Sequence, residues 1–380
     1  MAQNPFKMNQ VTKYTKDDSR KTYNVILLGF GSVGRHFIKL LLKNNGKLPS
    51  LNIVGISDSS GGICNLSGGM PLEDVLKWKE GGKCLNKYCV DSKSIKHFSN
   101  SEELCLKVPC DILLDATPVN LKTGGESLNC IRRALSKGTH IVLANKAPLV
   151  LGYQELMNIA ALEPFSHIFF SATVCGGLPV VNVGRRDLGC AKIRTIRGIF
   201  NSTSNFILSQ MEKGKNRDES LQIAIDRGIA ETDPSLDIEG IDTANKLTII
   251  ANSVLGYNAS LADVSVKGIA DLKILEVEEA KKMGEVIRLI ATATLVESNN
   301  DDALLSSGLS SIDIYNLSVS PQRVKMNSFL ANCRDSDMCV IFESSEFETI
   351  SMKTNETGVY PTAAAMIRDC SHIIKSLLKK

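Results

Sequence analysis

Tyr23-Asn-Val-Ile-Leu-Leu-Gly29-Phe-Gly31-Ser32-Val33-Gly34-Arg35-His-Phe37-Ile-Lys-Leu-Leu-Leu42 is the stretch from which the fold is read. Its first six residues form a short run suited to a buried strand, and Phe37 to Leu42 carry a helical pattern. Between them lies G-x-G-x-x-G in the strand-to-helix context that gives it meaning. Gly29 permits the tight turn, Gly31 lets a pyrophosphate approach the backbone, and Gly34 allows the helix to pack closely on the strand. Ser32 and Val33 open the helix, whose N-terminus attracts phosphate. A second strand, Leu51 to Ile56, leads to Asp58, at about the spacing expected of an acid that binds the adenosine ribose. An acid there suits the free hydroxyl of NAD, whereas Ser59 and Ser60 could tolerate the phosphate of NADP, so both cofactors stay open.

Working outward, strands are expected at Asp111 to Ala116 and His140 to Ala144, with a helix at Leu128 to Lys137 between them. This alternation predicts an α/β fold built on a Rossmann-type, doubly wound parallel sheet over residues 22–165. Ligand-facing groups then belong at the strand ends, where Thr117 and Lys146 lie. The glycine-rich segment 61–92 carries no motif and reads as an insertion or a long excursion after the second strand. Beyond residue 165 the rhythm changes to mixed strands and helices, which predicts a second α+β unit over 166–345.

The 380 residues carry a net charge of +3 and show no basic stripe interleaved with aromatics, so nucleic acid is not an expected partner. No apolar run approaches the roughly 20 residues needed to span a bilayer. Eleven cysteines without a repeated CxxC pattern indicate neither zinc nor a disulfide framework. The five histidines show no metal-ligand spacing, and no metal site is expected. A reducing, cytoplasmic location follows, with residues 1–21 read as a disordered tail.

Residues 231–246 hold five carboxylates and a terminal lysine. Asp242 and Lys246 stand four apart at the start of an apolar helix and so share one face. Taken alone they could be a solvent-exposed ion pair worth little. In a site, Lys246 could donate to a carbonyl oxygen that gains charge, with Glu231 and Asp237 gripping a substrate amine.

With these segments assembled, residues 22–380 resemble the homoserine dehydrogenase family. The motifs that carry the likeness are GFGSVGR (29–35), ANKAP (144–148), TVCGGLPVV (173–181), NSTSNFIL (201–208), AETDPSLDIEGIDTANK (230–246) and YPTAAAMIRD (360–369). The resemblance implies reversible hydride transfer between NAD or NADP and the pair L-homoserine and L-aspartate 4-semialdehyde, an amino-acid biosynthetic reaction. It implies catalytic Lys246, Asp242 and Lys146, with Lys146 also facing the cofactor. It further implies substrate-binding Glu231, Asp237, Ser202 and Thr203, cofactor contacts at Thr117 and Gly358, dimerisation through the second unit, and a C-terminal segment, 346–380, that returns to the first.

Several positions depart from the family pattern. Ser171 replaces a glutamate associated with a structural sodium ion, Ser202 replaces a glycine, and Glu356 to Tyr360 replaces a glycine-rich turn. These changes keep open a diverged reductase acting on another carbonyl or imine compound. A non-catalytic nucleotide-binding protein is the third alternative. Ending at Lys380, the chain is expected to lack an appended regulatory module.

Overall fold

In the computed structural model, residues 22–43, 50–89, 94–230, 233–296, 313–356 and 358–378 are described, so Glu231 and the N-terminal segment read as a tail lie outside the described residues. The chain runs β1 (Tyr23–Leu28), α1 (Ser32–Lys43), β2 (Leu51–Asp58), β3 (Gly61–Cys64), α2 (Leu72–Glu80), β4 (Lys96–Phe98), α3 (Ser101–Lys107), β5 (Ile112–Asp115), α4 (Gly125–Leu135), β6 (His140–Leu143), α5 (Ala147–Ala161) and β7 (Ile168–Phe169). These strands form one sheet in the order β4-β3-β2-β1-β5-β6-β7.

The strands β2, β1, β5, β6 and β7 are parallel. Side chains alternate along β1. Val25 and Leu27 pack with Phe37, Ile38, Val75 and Leu76 of α1 and α2, whereas Ile26 and Leu28 pack with Leu104, Leu128, Ile131 and Leu156 of α3, α4 and α5. Helices thus cover both faces, as an interior parallel sheet requires to bury its apolar strands.

Segment 61–92, expected to be an insertion, instead extends the sheet. β3 pairs antiparallel with β2 and with β4. Its glycines answer to crowding: a Cβ on Gly61 would lie 2.6 Å from the Phe98 carbonyl oxygen, and one on Gly62 would lie 3.2 Å from Leu104. The strand β7 is only two residues long, because the chain turns into a 3-10 segment at Ser171–Thr173.

The remainder runs α6 (Val180–Asn182), β8 (Ile193–Ile199), α7 (Ser202–Met211), α8 (Arg217–Asp226), α9 (Ser235–Ile238), α10 (Ile241–Val254), β9 (Val264–Val266), α11 (Ile274–Lys282), β10 (Glu285–Leu295), β11 (Tyr315–Lys325), β12 (Asp337–Ser344), β13 (Glu348–Asn355) and α12 (Tyr360–Leu377). A six-stranded sheet has the order β13-β12-β8-β10-β11-β9. Since β13 pairs with β12 along its whole length, the return to the first sheet begins after Asn355, not at residue 346. The return itself is made by α12, whose Ala363, Met366, Cys370 and Ile373 join the cluster under α1.

Candidate active site

The glycine loop closes as its residue types require. Gly29 has φ +86°, and a Cβ there would lie 2.4 Å from the Ala116 carbonyl, while one on Gly34 would lie 2.2 Å from the Gly29 oxygen. Around Gly31 a Cβ would meet nothing within 4 Å. The bare face of Gly31 therefore looks outward beside exposed Ser32, half-buried Val33 and a first turn of α1 that carries no acid. That is the surface a pyrophosphate needs, because the backbone amides and helix dipole favour an anion. We expect Gly31→Ala to leave thermal stability unchanged but to raise the dinucleotide Kd about tenfold by filling this space. Gly29→Ala is expected to cost about 1–3 kcal/mol in chemical denaturation.

Asp58 ends β2 beside this loop, as expected, but its carboxylate is already engaged. Oδ1 accepts from the Ser60 amide at 2.8 Å and the Ser60 hydroxyl at 2.6 Å, and Oδ2 pairs with Lys79 of α2. Thr117 directs its hydroxyl inward, donating to buried Asp115 at 2.6 Å and accepting from the Asn145 amide at 3.0 Å. Asn145 in turn accepts from the Ala147 amide at 3.0 Å. This chain of bonds ties the ends of β5 and β6 together and sets the direction of Lys146 between them. Gly358, at φ +74°, is exposed just before α12. Tyr360 packs edge-on against His36 of α1 at 6.3 Å, so its bulk stands on the cofactor side of the site.

Asp242 is the centre of the candidate site. It lies in the first turn of α10, where a carboxylate complements the helix dipole. Its Oδ2 is 2.7 Å from Lys246 Nζ one turn along, and its Oδ1 pairs with Lys146 Nζ at the start of α5. Lys246 also donates to the Phe200 carbonyl at 2.6 Å. An ammonium has three donors, so one remains for a ligand. Burial opposes a charge on Asp242, but the two ammonium groups outweigh it and hold the carboxyl well below its ordinary range. Burial likewise opposes the Lys246 charge, and Asp242 outweighs it, raising the lysine above its ordinary value. Lys246 therefore stays cationic at neutral pH.

Asn201 caps α7 and bridges the acids. Its amide nitrogen donates to Asp237 Oδ1 at 2.6 Å and to Asp242 Oδ2 at 2.8 Å. Its oxygen accepts from the Ser204 amide at 2.7 Å. Asp237 in α9 has no ion-pair partner among the described residues; burial first, and then the Asp242 charge, push its carboxyl up. The Thr203 hydroxyl donates to the Ile229 carbonyl at 3.2 Å, while Ser202 stands half-buried beside Asn201.

From the sequence, Asn201 stood only within the motif NSTSNFIL and Glu356 only at the start of an altered turn, neither as a site residue. Glu356 accepts from the Gly177 amide at 2.8 Å and so holds the turn at Cys175 and Gly176, both at positive φ. Ser171, at the position associated with sodium in the family, donates from its amide at 2.8 Å and its hydroxyl at 2.7 Å to Asp369 of α12. Burial pushes Asp369 up to about 6 despite these bonds and Arg368. A raised carboxyl favours the folded state while protonated, so this contribution is present below about pH 4 and is lost as pH rises through about 6. Asp369→Asn is expected to flatten that segment of the stability profile in urea titrations; an unchanged slope would contradict the assignment.

A glycine loop shaped for a pyrophosphate, facing two lysines on one carboxylate at the strand ends, defines a nicotinamide-dinucleotide-dependent oxidoreductase. The family model described as homoserine dehydrogenase matches residues 179–370. A second, described as glutamate/leucine/phenylalanine/valine dehydrogenase, matches residues 6–125, within the nucleotide-binding half and its preceding segment. The homoserine dehydrogenase of Methanocaldococcus jannaschii is 32% identical over 94% of this chain and 100% of its own length. The NAD(+)-dependent homoserine dehydrogenase of Pseudomonas canavaninivorans is 28% identical over 94% of this chain and 98% of its own. A hyperthermophilic archaeal homoserine dehydrogenase in complex with NADPH superposes with a TM-score of 0.76 at 26% identity, covering 95% of this chain and 99% of that one. The chain belongs to the homoserine dehydrogenase family.

Proposed function

We propose that the chain catalyses reversible NAD(P)-dependent interconversion of L-homoserine and L-aspartate 4-semialdehyde. The observation that carries the reading is the cluster of Lys246 and Lys146 on Asp242 beside Asp237, a carboxylate without an ion-pair partner among the described residues. A zwitterionic amino-acid aldehyde has the complementary groups. Its ammonium fits Asp237, with Glu231 as the second expected acid. Its carbonyl oxygen accepts from the free donor of Lys246.

A dinucleotide would be held along Gly29 to Gly34 and at Asp58, Thr117 and Gly358, and its nicotinamide would supply or receive the hydride. As the carbonyl oxygen gains charge, Lys246 strengthens its hydrogen bond and passes a proton to that oxygen, and the amine is then reprotonated from water; in the reverse direction the neutral amine takes the hydroxyl proton as the hydride departs and returns it to water. Asp242 fixes both lysines and keeps Lys246 protonated. Lys146 lies between this carboxylate and the strand end that faces the cofactor, and adds positive charge where the oxygen develops negative charge. Asn201 orients the two acids, and Ser202 and Thr203 contribute to substrate binding.

Two further elements belong to the same reading. The division into a dinucleotide unit from residue 22 to about 165 and a catalytic unit beyond it is supported by the two separate sheets. A cytoplasmic homodimer is supported by family membership and by eleven free thiols, suited to a reducing compartment. Among the described residues no helix is long and apolar enough to cross a membrane. The test is direct. Purified protein given homoserine and NADP or NAD should generate reduced cofactor, read by its absorbance. Folded protein that produces none with either cofactor would overturn the reading.

A further inference from the structure

A cavity lies at the far edge of the first sheet, away from the two lysines and the glycine loop. β7 ends the strand order and pairs with β6 on its inner side. Beyond it, α5, α12 and the π-helical turn Val183–Asp187 border a space of about 770 Å³. Small-molecule sites occupy roughly 300–1,000 Å³. The candidate active site and this cavity sit at opposite ends of the same two helices. α5 starts beside Lys146 and α12 starts at Tyr360, whereas the cavity takes Met157 and Ala160 from the end of α5 and Lys375 from the last turn of α12. At 1.5 Å per residue, α5 alone sets the two about 20 Å apart.

The walls are of two kinds. Met157, Phe169 and Val181 are apolar, whereas Arg185, Arg186 and Lys375 are cationic, and none of the described residues that line the cavity is acidic. Arg186 is held by its neighbour Asp187 at 2.9 Å. Arg185 has a ring and not a carboxylate beside it, its guanidinium lying 5.4 Å from the centre of Phe170. The surplus charge is felt by His372 on the same wall. Burial first, and then Arg186, Arg368 and Lys375, hold its imidazole below the ordinary value. Cations spread over a convex surface are satisfied by water, but these converge on a concavity whose opposite wall is apolar, and such a cleft focuses its field. We propose that the cavity is a second binding site, for a small organic anion with a carboxylate or phosphate head on Arg185, Arg186 and Lys375 and an apolar body against Met157, Phe169 and Val181. Guanidinium forks grip either head group in the same way. The site shares no residue with the cluster on Asp242 and does not depend on the dehydrogenase reading.

Calorimetry on the full-length protein tests this with phenyl phosphate and 3-phenylpropionate as probes, inorganic phosphate as the head alone and 2-phenylethanol as the body alone. At least one of the two organic anions should bind at one site per chain, about tenfold or more tighter than either fragment, because ring burial and charge-assisted hydrogen bonds then act together. The tighter of the two identifies the head group. Combining Arg185→Met with Lys375→Met should raise that Kd at least about tenfold. Both side chains are exposed, so the unfolding temperature should stay where it is. Lys375→Glu, a single charge reversal, should weaken the anion to a similar extent. Absence of binding by both organic anions would overturn the proposal. So would binding that neither variant weakens, since the anion would then sit elsewhere, as on the glycine loop. Equal affinity for 2-phenylethanol would reduce the cavity to an apolar groove, and equal affinity for inorganic phosphate would reduce it to a charged patch; either result also overturns the assignment.

Discussion

Lys246→Met should lower kcat for homoserine oxidation and for semialdehyde reduction by about 10²–10³-fold, the range for removing one preorganised donor from a developing oxyanion. Methionine approximates the length and apolar stem of lysine, so the loss isolates the ammonium. Two of its three donors are held by Asp242 and the Phe200 carbonyl, and the third is the one assigned to the substrate oxygen. KM and the cofactor Kd should change little, because the interaction gains most of its strength as charge develops. Lys246→Arg should not restore the rate, since a planar guanidinium cannot occupy the position of a compact ammonium wedged between those two acceptors. Steady-state kinetics with thermal unfolding as a control decides the matter. A folded variant that keeps more than about a tenth of wild-type kcat would remove Lys246 from the chemistry.

Asp242→Asn should be the more disruptive change, because it affects folding and catalysis together. Asparagine leaves two buried ammonium groups facing an uncharged amide. Removing one partner from a buried ion pair costs about 3–5 kcal/mol, and urea denaturation at neutral pH should register a loss of that order. The sign of the pH dependence distinguishes this from ordinary cavity effects. In wild type the depressed Asp242 carboxyl contributes stability that is present above the ordinary carboxylate value and lost as pH falls toward its folded value. The variant lacks that contribution, and buried Lys246, no longer balanced by a carboxylate, is disfavoured as a cation and loses its proton more readily. Its deficit should therefore shrink as pH rises into the alkaline range. A deficit independent of pH would mean that Asp242 does not balance the lysines. Activity should fall at least as far as in Lys246→Met, since both lysines lose their anchor.

The sequence by itself determined what short-range geometry encodes. Six residues of strand, three glycines and an apolar helix specify the first βα unit, because each glycine occupies a position where a Cβ would strike backbone or fill the phosphate space. Four-residue spacing places Asp242 and Lys246 on one helical turn, and the structure keeps that pair at 2.7 Å. The return of the C-terminal segment, which α12 makes against α1, came from the family resemblance and not from local pattern.

Tertiary structure decided the rest. Lys146 reaches Asp242 across 96 positions of sequence, and nothing in the spacing could say that the two lysines share one carboxylate and not two. Asn201, a helix cap by its local pattern, becomes the bridge between Asp237 and Asp242 only when β8 delivers it to the start of α10. The glycine-rich segment after Asp58 looked like an insertion because its glycines answer to Phe98 and Leu104, which are distant in sequence. The same segment carries Lys79 to the ribose acid. The physical reason is common to all of these. Strand and helix periods reach one turn or one register step, whereas a charge is balanced by whatever cation the packing of whole sheets and helices brings within bonding distance.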